Sequence, residues 1–224
     1  QGGITMNAAV RINSDSGLLT LGAITNNGNA LTIGGYGNTE VDGVIGAGAG
    51  TFTKDGPGTL ILTGNNTYTG QTSVTWGILN IRHASALGTN ANPTVVSSGA
   101  QLQVQGNINV AGEALQISGY GINNDGALRN LHDSNTWGGT VTLNAFSRIN
   151  SDSGLLTLSN TVSTTVANSL VVGGAGNTTI SGVLGTAVAA TLTKDGAGTV
   201  TLSGAGNNLY TGATTVIAGQ LDLN

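Results

Sequence analysis

Glu40 and Asp42 are the pair of acids in this chain best placed to act together. Two residues apart, they can share one face of a strand. A polysaccharide-cleaving site needs two or three carboxylates clustered in that way. The related segment later in the chain has Thr179 and Ser181 instead, and no third acid or histidine adjoins the pair in sequence. Other charges recur in matched copies: Arg11 and Arg148, Asp15 and Asp152, Lys54 and Lys194, Asp55 and Asp195. An active site is seldom copied unchanged along a chain, so turn or capping roles are expected for these eight.

His83 and His132 stand alone, whereas a metal centre needs at least three convergent ligands. There is no cysteine, which removes disulfides, thiolate metal sites and thiol catalysis together. GGYGNTEVD at Gly34 approaches a calcium-binding nonapeptide, but Thr39 stands at the Asp position, as Thr178 does in the second copy. GAGAGT at Gly46 has the glycines of a phosphate loop without the Gly-Lys-Ser/Thr that must follow. Trp76, Trp137, Tyr36 and Tyr120 can stack on sugars if they share a face; otherwise each caps a core end or covers a turn. No catalytic, cofactor-binding or metal-binding residue is therefore assigned, and ligand-binding residues stay open.

The elements that carry these residues follow from composition. Of 224 residues 38% are hydrophobic, 7% charged and 4% aromatic, with 38 glycines and two prolines. Low charge argues against disorder. The absence of a strict Gly period argues against collagen. Short runs of Val, Ile, Leu and Thr separated by Gly and Asn read as a β-protein with many turns. Net charge is −4 and the six basic residues are scattered, so nucleic-acid binding is not expected. No apolar run is long enough for a transmembrane helix. QGGITMNAAV lacks a basic start and an apolar core, so any export signal was removed or lies upstream.

Self-similarity is the dominant signal. RINSDSGLLTL occurs at Arg11 and again at Arg148; KDGPGT at Lys54 is answered by KDGAGT at Lys194. The unit is about 140 residues, giving a repeat over 1–137 and a partial repeat over 138–224. Within it, stretches of period-two alternation are separated by turn residues. Sandwiches and barrels close on themselves, whereas a solenoid extends by adding coils. At about 20 residues per coil the expectation is one continuous β-solenoid of about eleven coils, a segment of a longer chain, roughly 50 Å long. Phe52, Leu60, Leu62, Val74 and Leu79 are expected to face inward, as are Leu192, Val200, Leu202, Val216 and Leu221. Gly56 and Gly58 should bracket a corner with positive φ. Asn65 and Asn66 should bond backbone there and stack in an Asn ladder. Stacked like charges would repel across adjacent coils, so low charge follows from the architecture.

Those residues carry a resemblance. Phe52, Lys54, Gly56, Gly58, Leu60, Leu62, Gly64, Asn66, Tyr68, Gly70, Thr72, Val74, Gly77 and Leu79 resemble the passenger-associated repeat of bacterial autotransporters. A second copy runs from Leu192 to Leu221, with Val200 in place of Leu and two extra residues before Asn208. The resemblance implies a right-handed parallel β-helix, secreted and displayed at the bacterial cell surface. In autotransporters an outer-membrane barrel follows; none lies in these residues, which leaves the export route open.

Two function classes remain, with a polysaccharide-active enzyme a distant third. The first is structural: an extracellular stalk, spacer or fibre-forming segment, whose uncapped ends suit a longer chain or head-to-tail association into filaments. The second is an adhesin presenting a loop to a surface glycan or protein, with Arg82 to Pro93 (RHASALGTNANP) the best candidate. No cofactor is expected for either.

Overall fold

The computed structural model describes residues 2–46, 48–164, 167, 169–185, 189–204 and 208–224. It is an all-β solenoid of about ten stacked coils in which every strand pairing is parallel. Each coil has three faces. Face one stacks Val10–Asn13, Leu31–Gly34, Phe52–Lys54, Thr72–Val74, Thr94–Val96 and Leu115–Gly119. It continues into the first part of the long strand Val141–Ser151 and on to Val162–Thr164. Face two stacks Leu18–Leu21, Asn38–Val41, Thr59–Leu62, Ile78–Ile81, Gln101–Val104 and Leu128–Asn130. It runs through the second part of Val141–Ser151 to Leu170–Gly173, Leu192–Lys194 and Thr214–Val216. Face three holds Ile4–Thr5 and Ile24–Thr25 at one end. At the other it holds Ser134–Trp137, Leu155–Leu158, Asn177–Ile180, Thr199–Leu202 and Gln220–Leu223.

Alternation explains the core. In Thr59–Leu62, Leu60 and Leu62 are fully buried while Thr59 and Ile61 are half-buried outside, as period two demands. Phe52, Val74, Leu79, Leu192, Val200 and Leu202 are likewise buried. Val216 is exposed and Leu221 only partly buried, because the coil that carries them has a neighbour on one side within these residues. Coils are slightly longer than 20 residues: Val10 registers with Leu31, and Leu31 with Phe52. One coil is longer still, with Leu102 in register with Leu128. The extra length is an excursion between Leu115–Gly119 and Leu128–Asn130 that includes a short 3-10 turn, Ile122–Asn124. Longer coils account for about ten turns instead of eleven.

Register also separates the two similar stretches around the axis. Counting along face one, Val10, Leu31, Phe52, Thr72, Thr94, Leu115 and Val141 are six successive steps, and Arg148 then lies on face two. Arg11 lies on face one. Phe52–Lys54 is on face one and Leu192–Lys194 on face two. Equivalent residues of the two stretches therefore point about a third of a turn apart.

The corners between faces one and two are tight. Gly56 has φ 74°, as expected, but Gly58 does not have positive φ. It is required for another reason: a Cβ there would overlap the carbonyl oxygen of Gly37 on the coil before. Asn66 bridges three coils, accepting from Ile45 N at 2.8 Å and donating to the Ala86 carbonyl at 2.6 Å. It clamps backbone on both sides in place of stacking on another asparagine.

Candidate interaction edge

The matched charges are fasteners. Arg11 reaches over Gly34 on the next coil to pair with Asp55 on the one after, at 2.5 Å. Arg148 reaches over Gly173 to Asp195 at 2.7 Å in the same way. A side chain at Gly34 or Gly173 would collide with the aspartate. Asp15 accepts from Asn13, while Asp152 pairs with Arg129 at 2.7 Å. Lys54 and Lys194 are buried within strands, each ammonium turned back under its corner. Lys54 Nζ donates to the carbonyls of Asp55, Gly56 and Trp76 at 2.8, 2.7 and 3.0 Å. Lys194 repeats this with Asp195, Gly196 and Ala218. Three donors meet three acceptors, which makes the buried cation tolerable. Burial still pulls the Lys54 pKa down to about 8, and lowers that of Lys194.

The other candidates are dispersed. Glu40 points outward between Thr20 and Ile61, and Asp42 lies in the exposed turn beyond the strand. His83 Nδ1 accepts from Ser85 N at 3.1 Å, and His132 Nδ1 meets Asp133 Oδ2 at 2.6 Å. Among the described residues no three His, Asp or Glu side chains converge to hold a metal. Thr39 and Thr178 are buried in the core. Gly46 to Thr51 forms part of a coil, with Gly48 bridging to Tyr68; Ala47 lies outside the described residues. The segment 82–93 is tied down: Ala86 and Leu87 are buried, and Asn90 and Asn92 donate to the carbonyls of Ala111 and Thr69.

Seven of the eight aromatic residues fall into two groups, and Tyr210 is partly buried against the core. Phe52, Tyr68 and Trp137 are core, with Trp137 Nε1 donating to the Glu113 carbonyl at 2.9 Å. Trp137 therefore does not join a sugar-stacking set. Tyr36, Trp76, Tyr120 and Phe146 are exposed, and all four sit on the edge between faces one and two. Tyr36 follows Leu31–Gly34, Trp76 follows Thr72–Val74, and Tyr120 opens the excursion after Leu115–Gly119. Phe146 lies where Val141–Ser151 passes from face one to face two. Tyr120 and Phe146 wall a groove floored by Ser98, Gly99 and Gly121 and reached by Asn124. A second groove runs beneath Tyr120 and Asn124 across Arg148, Thr193 and Asp195. Sequence reading marked three of these rings but missed Phe146 and the excursion. GYGINNDG at Gly119, a cluster of turn residues, was the available signal.

A separate polar cluster lies inside. Glu113 is buried; one carboxylate oxygen accepts from Thr94 Oγ1 at 2.8 Å and the other has no partner. Burial pushes its pKa up to about 7, with Thr94 opposing in part. A buried carboxyl with its pKa near neutrality can hold or release a proton at physiological pH.

The passenger-associated-transport-repeat model matches residues 52–81 and 192–223. The chain is 35% identical over 116 residues to a protein named adhesin BmaC autotransporter, from Brucella suis biovar 1 (strain 1330). That similarity covers 45% of this chain and 3% of the longer relative. No solved structure matches. The two matched stretches form equivalent coils and corners, so over those residues the chain is similar to the passenger-associated-transport repeat, and it spans only a small part of the relative's length.

Proposed function

We propose that the chain serves as a rod segment, a stalk or spacer, of an extracellular passenger at the bacterial surface. The single observation that carries this reading is the framework itself. Buried lysines, Arg–Asp pairs spanning two coils and asparagine clamps recur in both similar stretches, and all of them join coil to coil. Residues repeated along a chain for fastening serve length and stiffness. Immuno-electron microscopy of producing cells, with an antibody against this segment, tests it. Labelled rods or fibres of regular width at the surface are expected. A diffuse coat, or label only at contacts with other cells, would overturn it.

A second reading, an adhesin, is favoured by one specific observation: four exposed aromatic rings share one edge. The relative named an adhesin points the same way. Head-to-tail association into filaments belongs to the first reading, and a glycan or protein ligand to the second.

A further inference from the structure

The rings on the edge are not part of the repeated framework. Where the first stretch has Tyr36, the second has Ala175; where it has Trp76, the second has Ala218 beside the same lysine-braced corner. Phe146 precedes Ser147-Arg148 as Ala9 precedes Val10-Arg11. At three of the four rings the matching position thus accommodates alanine, so Tyr36, Trp76 and Phe146 add exposed apolar surface that the repeated framework does not require. The alanines lie on other edges, because the second stretch is turned by one face. Aromatics are placed by edge, not by position in the repeat.

From this arrangement we infer that the edge from Tyr36 to Phe146 is a binding site for a neutral, chain-like glycan, with the Tyr120–Phe146 groove as its principal subsite. The inference rests on the adhesin reading and gives it a ligand class and a place. Four features select a glycan. Tyr36 and Trp76 stand singly, two coils or about 10 Å apart, a separation on the scale of a disaccharide, and only Tyr120 and Phe146 share a groove, so the four form no continuous apolar patch of the kind a protein partner covers. Ser98 and Asn124 supply hydrogen-bonding groups beside Tyr120 and Phe146. The flanking arginines, Arg11 and Arg148, are ion-paired with Asp55 and Asp195, which disfavours an anionic ligand over a neutral one. The site is also long and open, and suits a polymer that passes along it.

The test uses the 224-residue chain with cellohexaose, chitohexaose and mannohexaose as probes. Calorimetry gives affinity, and fluorescence of exposed Trp76 reports contact while buried Trp137 stays constant. Saturable binding of at least one probe is expected. Tyr120→Ala and Phe146→Ala should each weaken it about tenfold, the size of one lost stacking contact. Melting should change little, since both rings are exposed and alanine stands at the position matching Phe146. Absence of saturable binding by all three probes overturns the inference, as does binding indifferent to both substitutions. Ring-dependent binding to phosphatidylcholine vesicles without glycan binding also overturns it. If Tyr120→Ala cells lose attachment to surfaces while the chain binds no probe, the adhesin reading stands and the glycan inference falls.

Discussion

Lys54 shows how one residue can be costly and still necessary. Its ammonium is buried, yet three carbonyls of two adjacent coils converge on it. In the unfolded chain it titrates near 10.5 and in the fold near 8, so between these values the unfolded chain holds more protons. Stability is therefore expected to rise with pH across that window. Lys54→Met should destabilise by about 1.5–3 kcal/mol at pH 7, because it strands the carbonyls, and should reduce the alkaline slope in urea titrations. Lys194, shifted the same way, retains the remainder. Glu113 has the opposite sign: its folded pKa lies above the unfolded one, so stability should fall as pH rises from 4.5 to 7. Glu113→Gln should remove that fall and stabilise the protein above pH 7 by about 1–3 kcal/mol, read as a higher melting temperature at pH 8. Neither role was legible beforehand. The Lys-x-Gly-x-Gly spacing marked a corner, but only a fold shows a lysine turned inward on a strand, and Glu113 has no sequence motif at all.

At the scale of elements, most of the architecture was written in the periodicity. The run TVTL alternates in sequence, both it and TLIL bury alternate residues, and the glycines between runs fall at the corners. What periodicity could not supply is which strands stack on which, because parallel register depends on coil length. It also could not rank the irregular segments. RHASALGTNANP reads as a loop because it lacks alternation, yet its Ala86 and Leu87 fill the core where a third-face strand is missing. GYGINNDG, shorter and full of turn residues, is the true excursion, and it lengthens one coil to 26 residues. It is anchored from beneath by Gln101, whose Nε2 donates to the Gly126 carbonyl at 2.8 Å. Edge position was equally hidden: Tyr36, Trp76, Tyr120 and Phe146 are irregularly spaced in sequence and align only once coils are wound.

At the scale of the whole molecule, the decisive quantity is the fraction of a turn separating the two similar stretches. A whole number of turns would stack like upon like, with Arg148 following Gln116 along face one. The register instead places Thr142 on Gln116 and brings Arg148 round to face two, beside Val171. The consequence is that fasteners shared by both stretches are spread around the rod while the aromatic rings stay on one edge. Such a rod is fastened on more than one side and presents its exposed rings on one. Cysteine pairs test the winding directly, since partners on adjacent parallel strands lie within disulfide reach and those on different faces do not. In a chain that has no native cysteine, Gln116→Cys with Thr142→Cys should close a disulfide under mild oxidation, seen as a loss of free thiol in the monomer. Gln116→Cys with Arg148→Cys should not. Closure of the second pair in preference to the first would mean that the similar stretches lie in line along one face, and the rotation between them would have to be abandoned.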